Sequence, residues 1–592
     1  GSTVVFNGNG NQNINTGYPT PTDLVYRLKF HNLNIAGAGD KIVMPPNDAN
    51  PANNFMLVRN NITLISGRLV ANDQHIKLLH SWVTQPGGQF DAGNGLVTFE
   101  ADGKVTSILS NGIAFNNVRI QGTAINGVVN YLDSTTINGN LTIDPATFRD
   151  LNSTALAIRG NFINSGTFAA QNGRVYFNGV GNQSIINNGK GAFYNLTVNK
   201  STGNLLLDGD SLIKVTNNLT LVQGNISGRN ATSVPNKPIV VDGTITRPGA
   251  NPGHIDGRLR LPFGENSVSK LFPIGLGNHY APVNLSINGW GGAAGYLDAY
   301  VLVDTAAPNI TRAVIQTQLP NGPELDTTRN VRKVWVINAD TTTQNRFVLA
   351  STRTYDAEFF FTPADTTGRG NPLNFEIYHR DTTINTGRWN RVELGARNPL
   401  STVMINNSDL DNNSGHYFII GEPRVFTFYS IADGNWNNPN TWSTASYTST
   451  EPSTRAPESR DNIRIGNGKT VVLNVNHSVD AGRSVIVETG GAGFPGGHLE
   501  FANGSVLLTG AGTFRLDSAG ALTIRHSQGI TASGSTGCIR TTTRQYNFNN
   551  HNSGHFIYAG TGSQETGNGM PLTMRTFRVN KPSGTLSITG TT

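Results

Sequence analysis

The sequence predicts an all-β protein in which parallel β-helix (solenoid) segments flank an antiparallel β-sandwich domain. Charged residues are 14% of the 592 positions, below the roughly 25% of a typical soluble domain. Glycine occurs 68 times and asparagine makes up about 12% of the chain, and both residues supply tight turns at low cost. Short runs of alternating apolar and polar residues recur about every 20 residues, which suits one coil of a solenoid. Several independent sandwiches would explain the alternation but not this spacing.

One sequence block occurs three times, as TVVFNGNGNQNI at 3–14, RVYFNGVGNQSI at 174–185 and HFIYAGTGSQET at 555–566. Alignment brings two glycines and one glutamine of each copy into register, at Gly8, Gly179 and Gly560, at Gly10, Gly181 and Gly562, and at Gln12, Gln183 and Gln564. The second and third copies are followed at one common spacing by Asn-Lys and then glycine, with the lysines at Lys200 and Lys581. Stacked coils would bury their inner side chains, and stacked asparagines would hydrogen-bond along the axis.

Changes in composition predict three domains: a β-solenoid over 1–232, a β-sandwich over 233–423 and a second β-solenoid over 424–592. Four prolines between 233 and 255 mark the first boundary, after which strands lengthen and aromatic residues become commoner. The second solenoid opens with a G-N-W…T-W signature within 433–442. Because the sequence stops inside a strand pattern, we expect this solenoid to be truncated.

The tryptophans of the last two domains have two interpretations. Trp335 and Trp389 fit the core of the sandwich, and Trp436 and Trp442 fit a plug over the first coil of the second solenoid, which would otherwise expose apolar edges. The alternative is a sugar-stacking surface, for which the candidates are Trp389, Trp436 and Trp442.

Charge and cysteine content narrow the classes of partner. The formal net charge is +6, but no run of Lys or Arg is longer than two, so we predict no nucleic-acid partner. No apolar stretch approaches 18 residues, so we predict no transmembrane segment. The single cysteine, Cys538, is predicted to be a small buried apolar residue, because no nucleophile signature surrounds it.

Catalytic motifs do not emerge from the sequence, and we predict a protein without enzymatic activity and without a cofactor. Close aspartate pairs at Asp208/Asp210 and Asp409/Asp411 fit turns better than paired catalytic carboxylates. The oxygen-rich run 406–415 makes Asp409 and Asp411 a weak candidate Ca²⁺ site, although the run lacks the bidentate glutamate of an EF-hand.

The order of these motifs resembles that of large repetitive secreted and cell-surface, adhesin-like proteins of Bacteroidota, which are exported by type IX secretion. The resemblance rests on the F-N-G-x-G-N-Q-x-I block with its N-L-T-V-N-K strand, the F-P-I-G…Y-A-P-V-N-L segment, the Y-F-I-I-G-E run and the G-N-W opener. It implies an architectural role and an extracellular or cell-surface location with outer-membrane attachment. It carries over no catalytic residue.

The sequence contains more tripeptides in which Asp-Ser or Asp-Thr is followed by a small apolar residue or Thr than the roughly two that its composition predicts. In the resembled family such tripeptides are O-glycosylation acceptors. The candidate acceptors are Ser134, Ser211, Thr305, Thr327, Thr341, Thr366, Thr382 and Ser518. The alternative is that Asp-Ser and Asp-Thr simply begin turns.

Together these observations predict a non-enzymatic, extracellular structural or adhesive surface protein, a stalk or fibre segment of a larger polypeptide. The expected partners are cell-surface or secretion-system proteins, glycans, or further copies of the chain through self-association. The alternative function is a carbohydrate-binding or polysaccharide-degrading β-helix protein, and a polysaccharide-degrading one would be a lyase or a hydrolase.

Overall fold

A computed structural model gives the fold of most of the chain. It describes residues 1–15, 29–45, 55–101, 105–122, 127–188, 191–208, 213–228, 238–289, 294–303, 325–340, 347–350, 353–366, 370–381, 389–408, 410, 415–489, 496–546 and 554–589. The described residues contain no α-helix; their three short 3-10 helices are Pro363–Asp365, Pro372–Asn374 and Pro439–Thr441. The protein is therefore all-β, as predicted. None of its described helices is long and apolar enough to cross a membrane.

The chain divides into two compact units. Unit 1 comprises Gly1–Arg312 and Thr328–Glu422, and unit 2 comprises Ala313–Thr327 and Pro423–Thr592. The larger part of unit 2 begins at Pro423.

Unit 1 begins with three sheets of parallel strands. Sheet A consists, in spatial order, of Thr3–Phe6, Asn32–Ile35, Ile62–Leu64, Trp82–Thr84, Val105–Leu109, Val128–Tyr131, Thr147–Asp150 and Thr167–Ala169. Sheet B consists of Gln12–Ile14, Asp40–Val43, Gly67–Val70 and Gly88–Asp91. Sheet C consists of Lys29–Phe30, Met56–Val58, Ile76–Leu78, Leu96–Glu100, Asn117–Gln121, Leu141–Ile143, Phe162–Asn164, Gln183–Asn187, Leu205–Leu207, Ile226–Ser227 and Ile255–Asp256.

The chain visits these sheets in rotation, one short strand in A, one in B and one in C, before it returns to A. Each new strand pairs in parallel with the strand of the previous turn, as Ile62 pairs with Trp82 and Thr63 with Val83. Side chains alternate between buried and partly exposed along each strand, and Ile62 and Leu64 are completely buried. Burying one such side chain contributes about 1.5–3 kcal/mol, so the repeated pattern builds one continuous core.

Sheet D takes over the place of sheet B in the rotation and then changes character. Its strands, in spatial order, are Ala114–Phe115, Thr135–Ile137, Ala155–Ile158, Arg174–Phe177, Phe193–Asn199, Ile213–Gln223, Pro238–Val241, Arg258–Phe263, Gly295–Val303, Lys333–Ala339, His416–Pro423, Glu376–Asp381 and Asn390–Arg391. Two more strands lie beside this path, Thr244–Thr246 on Ile213–Gln223 and Leu325–Asn330 on His416–Pro423.

The direction of pairing changes at Arg258–Phe263, which is parallel to Pro238–Val241 on one side and antiparallel to Gly295–Val303 on the other. Sheets C and D therefore continue past residue 233, where composition predicted a boundary, and the antiparallel part begins later. Prolines and longer strands signal a change in the neighbourhood, but they do not show that one sheet spans it.

The antiparallel part of unit 1 has two further sheets. Sheet E consists of Val268–Phe272, Val283–Asn288, Thr354–Phe360, Ser401–Asn407 and Leu394–Asn398, and the small sheet F of Gly275–Leu276 and His279–Tyr280. Trp335 of sheet D is completely buried and its ring lies 5.4 Å from that of Phe359 in sheet E. The prediction that Trp335 lies in a core is confirmed.

Unit 2 also consists mainly of parallel strands. Sheet G consists of Trp442–Ser443, Thr427–Ser430, Asn462–Ile465, Ser484–Val487, Leu508–Leu516 and His477–Ser478, with Ile539–Gln545 beside Leu508–Leu516. Sheet H consists of Gly434–Asn435, Thr470–Leu473, His498–Phe501, Ala521–Ile524, His555–Tyr558 and Thr576–Val579, and sheet I of Gln564–Glu565 and Leu586–Ser587. Cys538 is completely buried in the core of this unit, as predicted.

Candidate functional site

In the second copy of the repeated block, a buried glutamine accepts a hydrogen bond from a buried lysine. Gln183 accepts a hydrogen bond from the backbone N–H of Gly179 at 2.9 Å and one from Nζ of Lys200 at 2.7 Å. Its Nε2 donates to the carbonyl oxygens of Ile158 and Gly160. Lys200 also donates to the carbonyl of Gly179 at 2.9 Å. We call this arrangement the Gln-Lys clasp; it joins three successive coils, and both side chains are about 1% exposed.

The third copy builds the same clasp in unit 2. Gln564 accepts from the N–H of Gly560 and from Nζ of Lys581, and donates to the carbonyls of Ile524 and His526. The first copy keeps only part of it. Among the described residues, Gln12 accepts a single hydrogen bond, from the N–H of Gly8 at 3.2 Å.

In the first copy the lysine comes from a different position of the sequence. Lys41 is completely buried and its Nζ donates to four carbonyl oxygens, which belong to Gly8, Gly10, Ala38 and Gly39. A lysine ammonium that donates to a glycine carbonyl of the block is therefore common to all three copies, buried in the first two and partly buried in the third, whereas its sequence position is not.

Asparagine side chains link successive coils, as the repeat analysis predicted. The Oδ1 atoms of Asn117, Asn140 and Asn161 each accept a hydrogen bond from the backbone N–H 21 to 23 residues later. A second ladder runs from Asn182 to Asn204, Asn225 and finally His254, whose N–H donates to Oδ1 of Asn225 at 3.0 Å. Except for the last step, which spans 29 residues, these separations of 21 to 23 residues are close to the predicted repeat of about 20 residues.

The second ladder ends in a cleft of about 720 Å³ in unit 1, which we call the polar cleft. Four chain segments form it: the coil corners 200–204 and 223–225, the loop 247–254, and the hairpin of sheet F. Its volume lies in the range of small-molecule binding sites. Most of its described lining groups are amides, hydroxyls and backbone, and none is a carboxylate.

Asn225 and His254 hold the hairpin against the coils. Nδ2 of Asn225 donates to the carbonyl of Gly277 at 3.0 Å, and Nε2 of His254 lies 3.0 Å from the same oxygen. Burial lowers the pKa of His254 to about 4, so the ring is neutral at pH 7 and its Nε2 carries the donated proton.

Arg247 provides the positive charge of the polar cleft. Its Nε and Nη2 donate to the carbonyls of Gly253 and Pro252 at 2.7 and 3.1 Å, and its guanidinium lies 3.7 Å from the ring centre of Tyr280. Burial lowers the pKa of Arg247 and raises that of Tyr280. An arginine remains charged under these conditions, so the cleft holds a fixed, half-buried cation.

The tryptophan candidates lie in different environments. Trp436 and Trp442 are buried, with rings 5.3 Å apart, and Nε1 of Trp442 donates to the carbonyl of Trp436. Their position at the first strands of sheets G and H is what the plug interpretation expects, and it leaves no ring face open to a sugar. Trp389 is half-buried, and its Nε1 is buried without a hydrogen-bond partner among the described residues.

The structure describes the side chains of three of the predicted glycosylation candidates. Ser134 is exposed, beside Asp133, whose carboxylate accepts from the N–H and Oγ of Ser110. Thr366 donates to the carbonyl of Pro363, and Ser518 lies within hydrogen-bond distance of Thr489. Thr327 lies in strand Leu325–Asn330, and its side chain is not among those that the structure describes. The other candidates fall outside the described residues: Ser211, Thr305, Thr341 and Thr382, together with the Ca²⁺ candidates Asp409 and Asp411.

The polar cleft was not predicted from the sequence. Its residues come from segments that are far apart in sequence, and no local motif marks them. The clasp did leave a signal, because Gln12, Gln183 and Gln564 recur while most neighbouring positions vary. Within the part of the chain that is described, no group of three or more metal-ligating side chains occurs. No known protein family, curated protein or solved structure matches this chain.

Proposed function

We propose that this protein is a non-enzymatic structural surface protein, built from parallel β-helix solenoid segments with an antiparallel β-sandwich between them. The single observation that supports this best is the rotation of strands through sheets A, B and C, or D in place of B, which is regular as far as Gln183–Asn187 and continues between sheets D and C as far as Ile255–Asp256. In such an architecture each coil contacts only its neighbours, so length is gained by adding coils. Growth in length by the addition of coils suits a stalk or fibre segment.

The side-chain ladders support the same proposal. Neighbouring coils are joined by backbone hydrogen bonds and also by side-chain hydrogen bonds. These come from asparagines every 21 to 23 residues and from the Gln-Lys clasps. Cross-links of this kind suit a segment that carries load along the coil axis. The resemblance to adhesin-like proteins of Bacteroidota extends the proposal to an extracellular, outer-membrane-attached location and to type IX export. The Asp-Ser and Asp-Thr positions are then proposed O-glycan acceptors.

Single-molecule pulling on the purified chain tests the structural role. We expect unit 1 to extend in successive events of one or a few coils, each coil of about 20 residues adding roughly 7 nm of contour length. Release of all the parallel coils in one event at low force would contradict the proposal. A parallel assay on a broad polysaccharide panel would contradict the non-enzymatic part if it found turnover that an Asp-to-Asn substitution abolished.

A second candidate function, carbohydrate binding, is favoured by the polar cleft. Amide, hydroxyl and backbone groups around an arginine-tyrosine stack are groups that hydrogen-bond sugar hydroxyls. They favour binding over bond cleavage, for which glycosidases use a pair of carboxylates. Binding of a glycan array by the intact chain, lost on Arg247→Gln, would support this candidate, and an array without any bound glycan would contradict it.

A further inference from the structure

The unbalanced charge of Arg247 points to the kind of ligand that the polar cleft takes. Two other half-buried arginines of unit 1, Arg258 and Arg260, pair with the buried Asp298, the latter at 2.6 Å. Arg247 has no carboxylate within ion-pair distance among the described residues, and its hydrogen bonds go to two backbone carbonyls. An anionic ligand would supply the counter-charge that this half-buried cation lacks.

The guanidinium of Arg247 is held in place before any ligand arrives. Nε and Nη2 are fixed by the carbonyls of Gly253 and Pro252, and one face of the guanidinium rests on Tyr280. Nη1 has no acceptor in the described part of the chain. A fixed arginine with a free donor is well suited to a carboxylate, because little side-chain entropy is lost on binding.

The rest of the lining suits a hydroxyl-rich ligand. The carboxamides of Asn251 and Asn278 are exposed and have no hydrogen-bond partner among the described residues, so each offers both a donor and an acceptor. Lys200, although it lines the cleft, is committed to the clasp through Gly179 and Gln183. The cleft therefore combines one available cation with neutral groups that can accept as well as donate.

We propose that the polar cleft binds an acidic saccharide, with Arg247 contacting the sugar carboxylate and Asn251 and Asn278 contacting hydroxyls. This inference deepens the carbohydrate-binding candidate and rests on it. Inorganic phosphate would satisfy the arginine but would leave most of the 720 Å³ and the amides unused.

Calorimetric titration of the full chain tests the proposal, with trigalacturonate as the acidic probe and galactotriose as the neutral one. We expect trigalacturonate to bind at least tenfold more tightly, with an affinity that falls as salt is added. Equal binding of the neutral probe would overturn the acidic preference while leaving carbohydrate binding in place. Failure of both probes, or tighter binding of inorganic phosphate or an oligonucleotide, would overturn the proposal.

Three variants locate the binding. Arg247→Gln should weaken trigalacturonate binding at least tenfold. The matched control is Arg174→Gln, because Arg174 is exposed and its one hydrogen bond among the described residues goes to the Tyr176 hydroxyl; it should leave affinity unchanged. Asn278→Asp places a negative charge at an exposed position of the cleft, where it should not disturb folding, and it should also weaken binding at least tenfold. Unchanged affinity in a folded Asn278→Asp variant would refute the assignment even if Arg247→Gln did not fold.

Discussion

Replacing Gln183 by leucine is the sharpest test of the Gln-Lys clasp. The substitution keeps roughly the size of the side chain but removes all four hydrogen bonds that Gln183 makes. The N–H of Gly179 then loses its acceptor, and the Lys200 ammonium keeps only the carbonyl of Gly179. Both groups remain buried, so water cannot easily replace what is lost.

The cost follows from the groups left unpaired. An unsatisfied buried N–H costs about 1–3 kcal/mol, and a lost bond to a charged donor about 1.5–3 kcal/mol. Leucine returns about 1–2 kcal/mol through apolar burial. We therefore expect Gln183→Leu to destabilise the surrounding coils by about 3 kcal/mol.

Hydrogen-deuterium exchange followed by mass spectrometry measures this locally. Peptides that cover 155–207 should exchange about a hundredfold faster in Gln183→Leu, because about 1.4 kcal/mol corresponds to a factor of ten. Peptides of unit 2 serve as the internal reference and should not change.

The first repeat copy supplies a matched control. Gln12 makes one neutral hydrogen bond and is only half-buried, so Gln12→Leu should cost about 1 kcal/mol or less. Gln564→Leu should reproduce the large effect in unit 2, where all four bonds recur. Equal effects of Gln12→Leu and Gln183→Leu, or a change below threefold in the latter, would refute the reasoning.

Three further predictions concern titration, reactivity and backbone geometry. Burial lowers the pKa of Lys200 from 10.5 to about 8, so between pH 8 and 10.5 the unfolded chain binds more protons than the folded one. The free energy of unfolding of the wild type should therefore rise by about 3 kcal/mol over this pH range, relative to that of Lys200→Met. Urea titrations of both proteins would measure this difference. Burial raises the pKa of the Cys538 thiol to about 12, so Ellman's reagent should react no faster than unit 2 opens, and rapid labelling of native protein would contradict this. Gly203 has a φ of 72°, and a Cβ there would lie 2.3 Å from the carbonyl carbon of Gly181; Gly203→Ala should therefore lower stability by about 2 kcal/mol, whereas Gly264→Ala, in open space, should change the urea midpoint little.

The sequence was sufficient for the all-β class and for the spacing of about 20 residues between partnered parallel strands, because both leave local signals. Alternating burial at Ile62–Leu64 and partners 21 to 23 residues apart in the asparagine ladders follow directly from a period visible in the letters. The aligned glutamines of the repeated block also occupy equivalent places, each accepting from the N–H of the glycine four residues earlier.

What the sequence could not supply depends on contacts between distant segments. Lys41 fills the place of Lys200 from another position, which no alignment of the block would match. The pairing of Arg258–Phe263 with a parallel neighbour on one side and an antiparallel neighbour on the other depends on segments that composition does not connect. The polar cleft likewise exists only because the hairpin of sheet F folds back onto the coil corners.

The asparagine ladders have a direction. In both of them the acceptor oxygen belongs to the earlier coil and the donating N–H to the later one. A chain that leaves a ribosome or an export channel with its amino end first thus meets a prepared row of acceptors, and each arriving coil has its own N–H satisfied as it docks. The group left unpaired at the growing end is the Oδ1 atom of an asparagine, which water can satisfy. An unpaired buried N–H would be tolerated less readily. Assembly of the coils can therefore keep pace with delivery of the chain, one turn at a time.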